Sequence, residues 1–387
     1  MNDDQITRLL QDLVRIPSVN PHGDPGTGTE NTGEARIAVY IADFLRKLAL
    51  DVELPEAEPG RPNVIGKFSS RGARNSIALA PHMDTVSVAG MTIDPFAAEI
   101  REGRLYGRGA CDTKGSLAAM LAGLANAVRR REFREGDTDA YFCALMGEES
   151  GNDGARALME RGFKADFAIA GEPTDGRIVR AHKGALWFRL RTRGRSAHGA
   201  TPELGESAIL KMSAAVQYLL GDYASSLRGT KLASATLLGP PTINVGVIRG
   251  GAQTNIVPDF CEVEIDRRLI PGETEESIIS SVRGALQHLG VKIDDIRSFP
   301  PLLTDPKNLL VERLAAAIGD GDVLAAAPWF SDAGILAAHG IPSVAFGPGS
   351  AAQAHTADEF IDLGEVLRAA QIFERFLISG SQNTIGS

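Results

Sequence analysis

Apolar residues recur at helical spacing over 4–15 (DQITRLLQDLVR) and again over 34–48, which predicts two helices, the first ending near Ile16-Pro17. Short apolar runs at 63–68 and 76–80 read as strands. Residues 112–131 open with Asp, Thr, Lys and Gly, continue as SLAAMLAGLANAV, and read as a helix. A buried strand at 139–146, a short helix at 154–161 and a strand at 167–170 follow. Strands and helices therefore alternate over 60–175. That is the pattern of an α/β fold with a largely parallel sheet and helices on both faces.

The texture changes near residue 178. ALWFRLRTR (185–193) alternates apolar and polar with period two, as a half-exposed antiparallel strand does. Residues 242–249 and 260–269 alternate likewise, and helices are expected at 207–220 and 275–289. From Pro300 the first texture returns, with a helix at 308–318, a strand at 343–346 and a last helix at 363–378. The expected organisation is an α/β domain in two parts, 1–178 and 294–387, interrupted by an inserted α+β domain at 179–293.

Composition removes several function classes. Lys+Arg 40 against Asp+Glu 49 gives a net charge of −9 over 387 residues, with no basic run to neutralise a phosphate backbone, so no nucleic acid is expected as a partner. No stretch approaches the roughly 18 uncharged apolar residues of a membrane span, so no membrane partner is expected. The opening MNDDQITRLL is acidic where a secretory leader is basic, and the three cysteines, Cys111, Cys143 and Cys261, form no C-x-x-C pair. A reduced, cytoplasmic protein is the expectation.

The candidate chemistry sits where strands end. The strand at 76–80 runs into Pro81-His82-Met83-Asp84, the strand at 139–146 into Glu148-Glu149, and the strand at 167–170 into Gly171-Glu172-Pro173. Asp112 opens the following helix, and the strand at 343–346 leads to His355. Open α/β sheets build their sites at the carboxyl ends of strands. Imidazole and carboxylate together suit a borderline divalent ion, above all zinc. His82, Asp112, Glu149, Glu172 and His355 supply about the number of ligands that two ions with a shared carboxylate need. Asp84 is placed to orient the His82 imidazole. Glu148, next to Glu149, can handle a proton while its neighbour ligates. His22, His182, His288 and His339 read as ordinary, and Cys111 as a buried small hydrophobe. Arg267 and Arg268 face opposite ways on a period-two strand; Arg268 reads as the functional one and the other as a solvated charge.

The sequence resembles the dinuclear-zinc amidohydrolases that include acetylornithine deacetylase, succinyl-diaminopimelate desuccinylase, carboxypeptidase G and aminoacylase. The resemblance rests on APHMDTV (80–86), GRLYGRGACDTKGSLAAM (103–120), MGEESGNDGA (146–155), GEPT (171–174), GRSAHGATPELGESAI (194–209), QTNIVPD (253–259), DRRLIPGE (266–273) and GPGSAAQAHTADEFI (347–361), in family order. It implies a zinc-peptidase-like catalytic domain with a mixed sheet flanked by helices, interrupted by a lid and dimerisation domain. It implies two Zn2+ per subunit, with Co2+ or Mn2+ as substitutes. His82, Asp112 and Glu172 would hold one ion, and Asp112, Glu149 and His355 the other. Glu148 would be general base for a water shared by the ions, and Asp84 would orient His82. His198 would reach the partner subunit's site and stabilise the oxyanion. Asn255 and Arg268 would bind substrate, with Gly349 lining the pocket. The implied reaction is deacylation of an N-acyl amino acid by a homodimer. Removal of a C-terminal residue by a metallo-carboxypeptidase or dipeptidase is the alternative. Glu172, where the family's aminopeptidases and dipeptidases tend to carry Asp, tilts the balance to the deacylase and carboxypeptidase side. A non-catalytic binding protein on the same fold would have lost Glu148 or a ligand, and all are present.

Overall fold

The computed structural model describes residues 1–22, 28–319 and 321–379. The chain forms two units. One comprises Met1–Arg180, Thr304–Ala325 and the chain from Ser331 on; the other comprises Ala181–Leu303 and Ala326–Phe330. The first unit is built on a mixed sheet in the order Asp51–Glu53, Val64–Phe68, Thr138–Ala144, Asn75–Pro81, Phe167–Gly171, Ser343–Ala345 and Ile178–His182. The expectation of a largely parallel sheet holds only in the middle. Thr138–Ala144, Asn75–Pro81, Phe167–Gly171 and Ser343–Ala345 run parallel, and the flanking strands pair antiparallel. The carboxyl ends of the four central strands therefore lie along one edge.

Alternation along each strand sends side chains to opposite faces. Ile77 and Leu79 join a core with Phe142, Phe167 and Ile169 under the helices Asp3–Arg15, Ala35–Lys47, Gly115–Ala127, Leu309–Ile318 and Leu363–Ile378. Ala78 and Ala80 face the other way, against Leu158 of the helix Asp153–Glu160 and Ile335 and Leu336 of the helix Asp332–Ala338. The helix Gly115–Ala127 is apolar on every side and almost wholly buried. It packs against Leu363–Ile378 at Gly123, where a Cβ would meet the Cβ of Phe373 at 2.6 Å and the Ala370 carbonyl at 2.9 Å. At the amino end of the first helix the Asn2 side chain accepts the Gln5 amide at 2.9 Å, and the Gln5 side chain accepts the Asn2 amide at 3.0 Å. That reciprocal pair fixes where the helix begins. Among the described residues no helix is long and apolar enough to cross a membrane.

The second unit is a four-stranded antiparallel sheet in the order Thr242–Gly250, Phe260–Leu269, Gly184–Arg193 and Lys292–Phe299. Leu186, Phe188, Leu190, Val263 and Ile265 pack on one face with residues of the helices Ala208–Tyr218 and Glu275–Leu286. The fourth strand is not among the expected elements, and the expected boundary at 293 falls within it; the unit runs on to Leu303. The reason is local. The register between Trp187 and Arg189 shifts, and Asp295 stands at φ +50°, so the alternation is broken at Asp294-Asp295. Those two acids and Glu262 pair with Arg189 and Arg191 across the other face, for example Arg189–Asp295 and Arg191–Asp294, both at 2.6 Å.

Candidate metal centre

The strand Asn75–Pro81 ends directly at His82, and Phe167–Gly171 ends directly at Glu172. Thr138–Ala144 reaches Glu148 and Glu149 through a turn at Gly147, whose φ of +70° suits glycine. The Gly147 amide donates to Glu34 Oε1 at 3.2 Å, and Glu34 is itself buried against Arg61. Residues 112–114, expected to begin a helix, form an irregular turn instead, with a cis Asp112–Thr113 peptide, and the helix starts at Gly115. The Glu359 carboxylate seats that turn. It accepts the amides of Gly109, Cys111 and Asp112 at 3.1, 2.9 and 3.0 Å and pairs with the buried Arg108 at 2.7 Å.

These loops bring the predicted ligands together. His82 Nε2 lies 3.1 Å from Asp112 Oδ1, and His355 Nε2 lies 3.4 Å from Asp112 Oδ2 and 3.2 Å from Glu149 Oε2. Single ligand atoms of His82, Asp112 and Glu149 all fall within 4.8 Å of one another. Asp112 thus faces one imidazole with each oxygen. Glu172 is buried beside them and within electrostatic reach of His82, Asp112 and Glu149.

Asp84 does more than the sequence suggested. His82 Nδ1 is 3.0 Å from the Asp84 backbone carbonyl and 3.4 Å from its carboxylate. The carboxylate accepts the amides of Glu148 and Glu149 at 3.1 and 3.0 Å and the side chain of Asn20 at 2.7 Å. One buried acid therefore holds the imidazole and the whole Glu148-Glu149 turn.

The electrostatics describe a site crowded with acids. Burial pushes the Glu149 carboxyl up to about 7, with the Asp112 charge adding to it. Burial and the charge of Glu172 push Glu148 well above the carboxylate range, and burial does the same to Glu172. Burial also works against ionisation of Asp112, but hydrogen bonds from His355 and His82 outweigh it and hold its carboxyl below the usual range. His355 is raised to about 10, chiefly by its hydrogen bond to Asp112 and then by that to Glu149. Burial opposes the charge on His82, yet Asp112 and Asp84 raise it well above the ordinary histidine value. Glu149 Oε1 is buried without a hydrogen-bond partner among the described residues. An orphaned carboxylate oxygen beside two imidazoles and a surplus of buried acids fits a divalent ion of the zinc type.

The remaining expected residues fall elsewhere. His198 and Asn255 lie in the second unit on adjoining loops: the backbone of His198 bridges to Ile256, and the Gly199 amide donates to the Asn255 carbonyl at 2.8 Å. Arg268 also lies there, half-buried, paired with Asp266 at 2.9 Å and with its guanidinium carbon 5.4 Å from the centre of the Phe330 ring. Arg267 is no solvated charge. It shares the buried face of its strand with Val263 and Ile265, is 1% exposed, and pairs with Glu273 and the Tyr223 hydroxyl. Gly349, at φ +85°, presses on Cys111: a Cβ would stand 2.7 Å from its sulfur. Cys111 is buried and its thiol is raised by burial, as the inert reading expects. Asn20, Asn152, Asp332 and Glu359 were not foreseen. Only Glu359, four residues after His355, carried a signal in its position.

Residues 78–379 match the profile of Peptidase family M20/M25/M40. The chain belongs to that family. Across 371 residues the M20 chain is 28% identical to an acetylornithine deacetylase of Vibrio campbellii (strain ATCC BAA-1116), covering 94% of each protein. Its fold matches that of an M20 family metallo-carboxypeptidase, Sso-CP2, from Sulfolobus solfataricus, with a TM-score of 0.80 at 20% identity over 98% of this chain and 100% of that one. It also matches the YXEP protein of Bacillus subtilis, described as a dinuclear metal binding peptidase, with a TM-score of 0.68 at 17% identity over 97% and 98%. The M20 chain is an amidohydrolase.

Proposed function

We propose that this enzyme hydrolyses the amide bond of N-acyl amino acids, releasing a carboxylic acid and the free amino acid. The observation that carries the reading is the meeting of His82, Asp112, Glu149 and His355 at one sheet edge, with Glu148 and Glu172 buried beside them. Two divalent ions, taken as zinc from the mix of imidazole and carboxylate, would be held by His82, Asp112, Glu149, Glu172 and His355. Asp112 is the natural shared ligand, since each of its oxygens faces a different imidazole. When bound, such ions lower the pKa of water from 15.7 to about 7 and polarise the scissile carbonyl.

The chain's own residues do the rest. Glu148 takes a proton from the attacking water and returns it to the leaving amine, help worth about 10²–10⁴-fold in rate. Asp84 keeps His82 and the Glu148 turn in place. His198 Nδ1 accepts the Ala200 amide at 3.1 Å, which leaves Nε2 as the donor that would meet the developing oxyanion in the partner subunit's site. Arg268, with its guanidinium over the Phe330 ring, grips the carboxylate of the substrate. The acetylornithine deacetylase relative and Glu172 favour deacylation over release of a C-terminal residue.

The test is an assay of the metal-loaded protein on N-acetyl and N-succinyl amino acids and dipeptides. Turnover of the N-acyl substrates is expected; cleavage of dipeptides alone would replace this reading with the peptidase one. Homodimerisation through the second unit is supported by its exposed Leu210, Ile248 and Leu220. A monomer by sedimentation at micromolar concentration would remove it. A cytoplasmic location is part of the same reading, tested by fractionating the cells that make the protein.

A further inference from the structure

Behind Glu148 lies a second layer of buried polar groups that the chemistry above does not use. The Asn152 side-chain nitrogen donates to Glu148 Oε1 at 3.2 Å and to Asp332 Oδ1 at 2.8 Å. Asn152 is 0% exposed and Asp332 1%. An amide nitrogen has two hydrogens, and here each goes to a different carboxylate. The opposite orientation would set the amide oxygen against two acceptors, so the donor assignment follows from the chemistry.

We propose that Asn152 and Asp332 are positioning residues that aim the Glu148 carboxylate. The proposal rests on the reading that Glu148 carries the proton. Three features support it. Asp332 opens the helix Asp332–Ala338, which is anchored in the core through Ile335 and Leu336, so its carboxylate is a fixed point. Asn152 stands at φ +55° between the Glu148-Glu149 turn and the helix Asp153–Glu160, a conformation that asparagine tolerates better than most residues. Asn152 Oδ1 and Asp332 Oδ2 are buried without hydrogen-bond partners among the described residues. Buried polar atoms left unpaired are costly to keep, which argues that the pair serves more than packing. The bond fixes Oε1 of Glu148 and leaves Oε2 as the oxygen that meets water.

The experiment compares Asn152→Gly, Asp332→Ala, Asp332→Asn and Glu148→Gln in the metal-loaded enzyme. It reads kcat, KM, metal content and melting temperature. Glycine keeps the left-handed backbone while deleting the amide. Asp332→Asn keeps an oxygen that can accept the Asn152 hydrogen. A misplacement of about 1 Å costs roughly 10²-fold in rate. We expect Asn152→Gly and Asp332→Ala to lose about 10–100-fold in kcat, with KM within about twofold and metal unchanged. Asp332→Asn should keep most of kcat. Wild-type kcat in Asn152→Gly would overturn the proposal, as would Asp332→Asn falling as far as Asp332→Ala, or loss of metal from a folded Asn152→Gly. Near wild-type turnover in Glu148→Gln would instead sink the assignment of Glu148 itself. If Asp332→Ala does not fold, Asn152→Gly against Asp332→Asn decides alone.

Discussion

Arg267 and Arg268 are neighbours with opposite fates, and the difference is measurable. Arg267 lies on the packed face of its strand with its charge met by Glu273; Arg268 lies on the other face above Phe330. Arg267→Ala leaves Glu273 without its partner, and breaking a buried ion pair costs about 3–5 kcal/mol of stability. We expect that loss in denaturant midpoint. Arg268→Ala should leave stability within about 1 kcal/mol and raise KM at least tenfold. Equal effects of the two on KM would deny Arg268 its role. At this scale the cluster of expected ligands was legible because its members fall in the segments that follow strands or precede a helix, so a local pattern announces them. Asn152–Asp332 and Arg108–Glu359 were not, because their partners stand 180 and 251 residues apart and only the tertiary fold joins them. Arg267 was misread because alternation says that two neighbours differ without saying which one is inside.

Elements were legible where one period ran unbroken. The helix Leu363–Ile378 and the strand Phe260–Leu269 coincide with their expected limits. The strand Lys292–Phe299 was lost because its bulge interrupts the period. The helix expected from 112 begins at Gly115 because Asp112 and Thr113 leave helical backbone angles, a departure that favourable helix composition conceals. Between elements, Gly123 sets how closely Gly115–Ala127 and Leu363–Ile378 approach. Gly123→Ala gains helix propensity of about 1 kcal/mol but drives a methyl into Phe373 and the Ala370 carbonyl, and overpacking of this kind costs about 1–3 kcal/mol. A net fall in melting temperature is expected; a rise would mean that the two helices can separate without penalty.

For the whole molecule, the buried acids in and behind the candidate metal centre predict how stability follows pH. Glu149 rises from 4.5 to about 7 and Asp332 from 3.8 to about 6, both chiefly by burial. The folded state therefore holds protons there that the unfolded chain has already released, and stability falls as pH climbs through that window. The raised histidines act in the same direction at higher pH. His355, moved from 6.5 to about 10, contributes fully below 6.5 and loses its contribution as pH climbs towards 10. Protein stripped of metal by a chelator should therefore melt at steadily lower temperature between about pH 5 and pH 9. Zinc should flatten the slope and raise the melting temperature, because it binds the folded state alone. A chelated protein whose melting temperature climbs over that range would contradict the burial of these acids.

The strand Ser343–Ala345 is interior: it pairs with Phe167–Gly171 on one side and with Ile178–His182 on the other. On the ribosome, His82, Asp112, Glu149 and Glu172 all emerge well before it, yet the gap it fills stays open until residue 345 has been made. His355 and the Glu359 that seats Asp112 come later still. The cluster of acids and imidazoles can therefore close only when the chain is nearly complete, since its last contributors lie within the final 33 residues of 387.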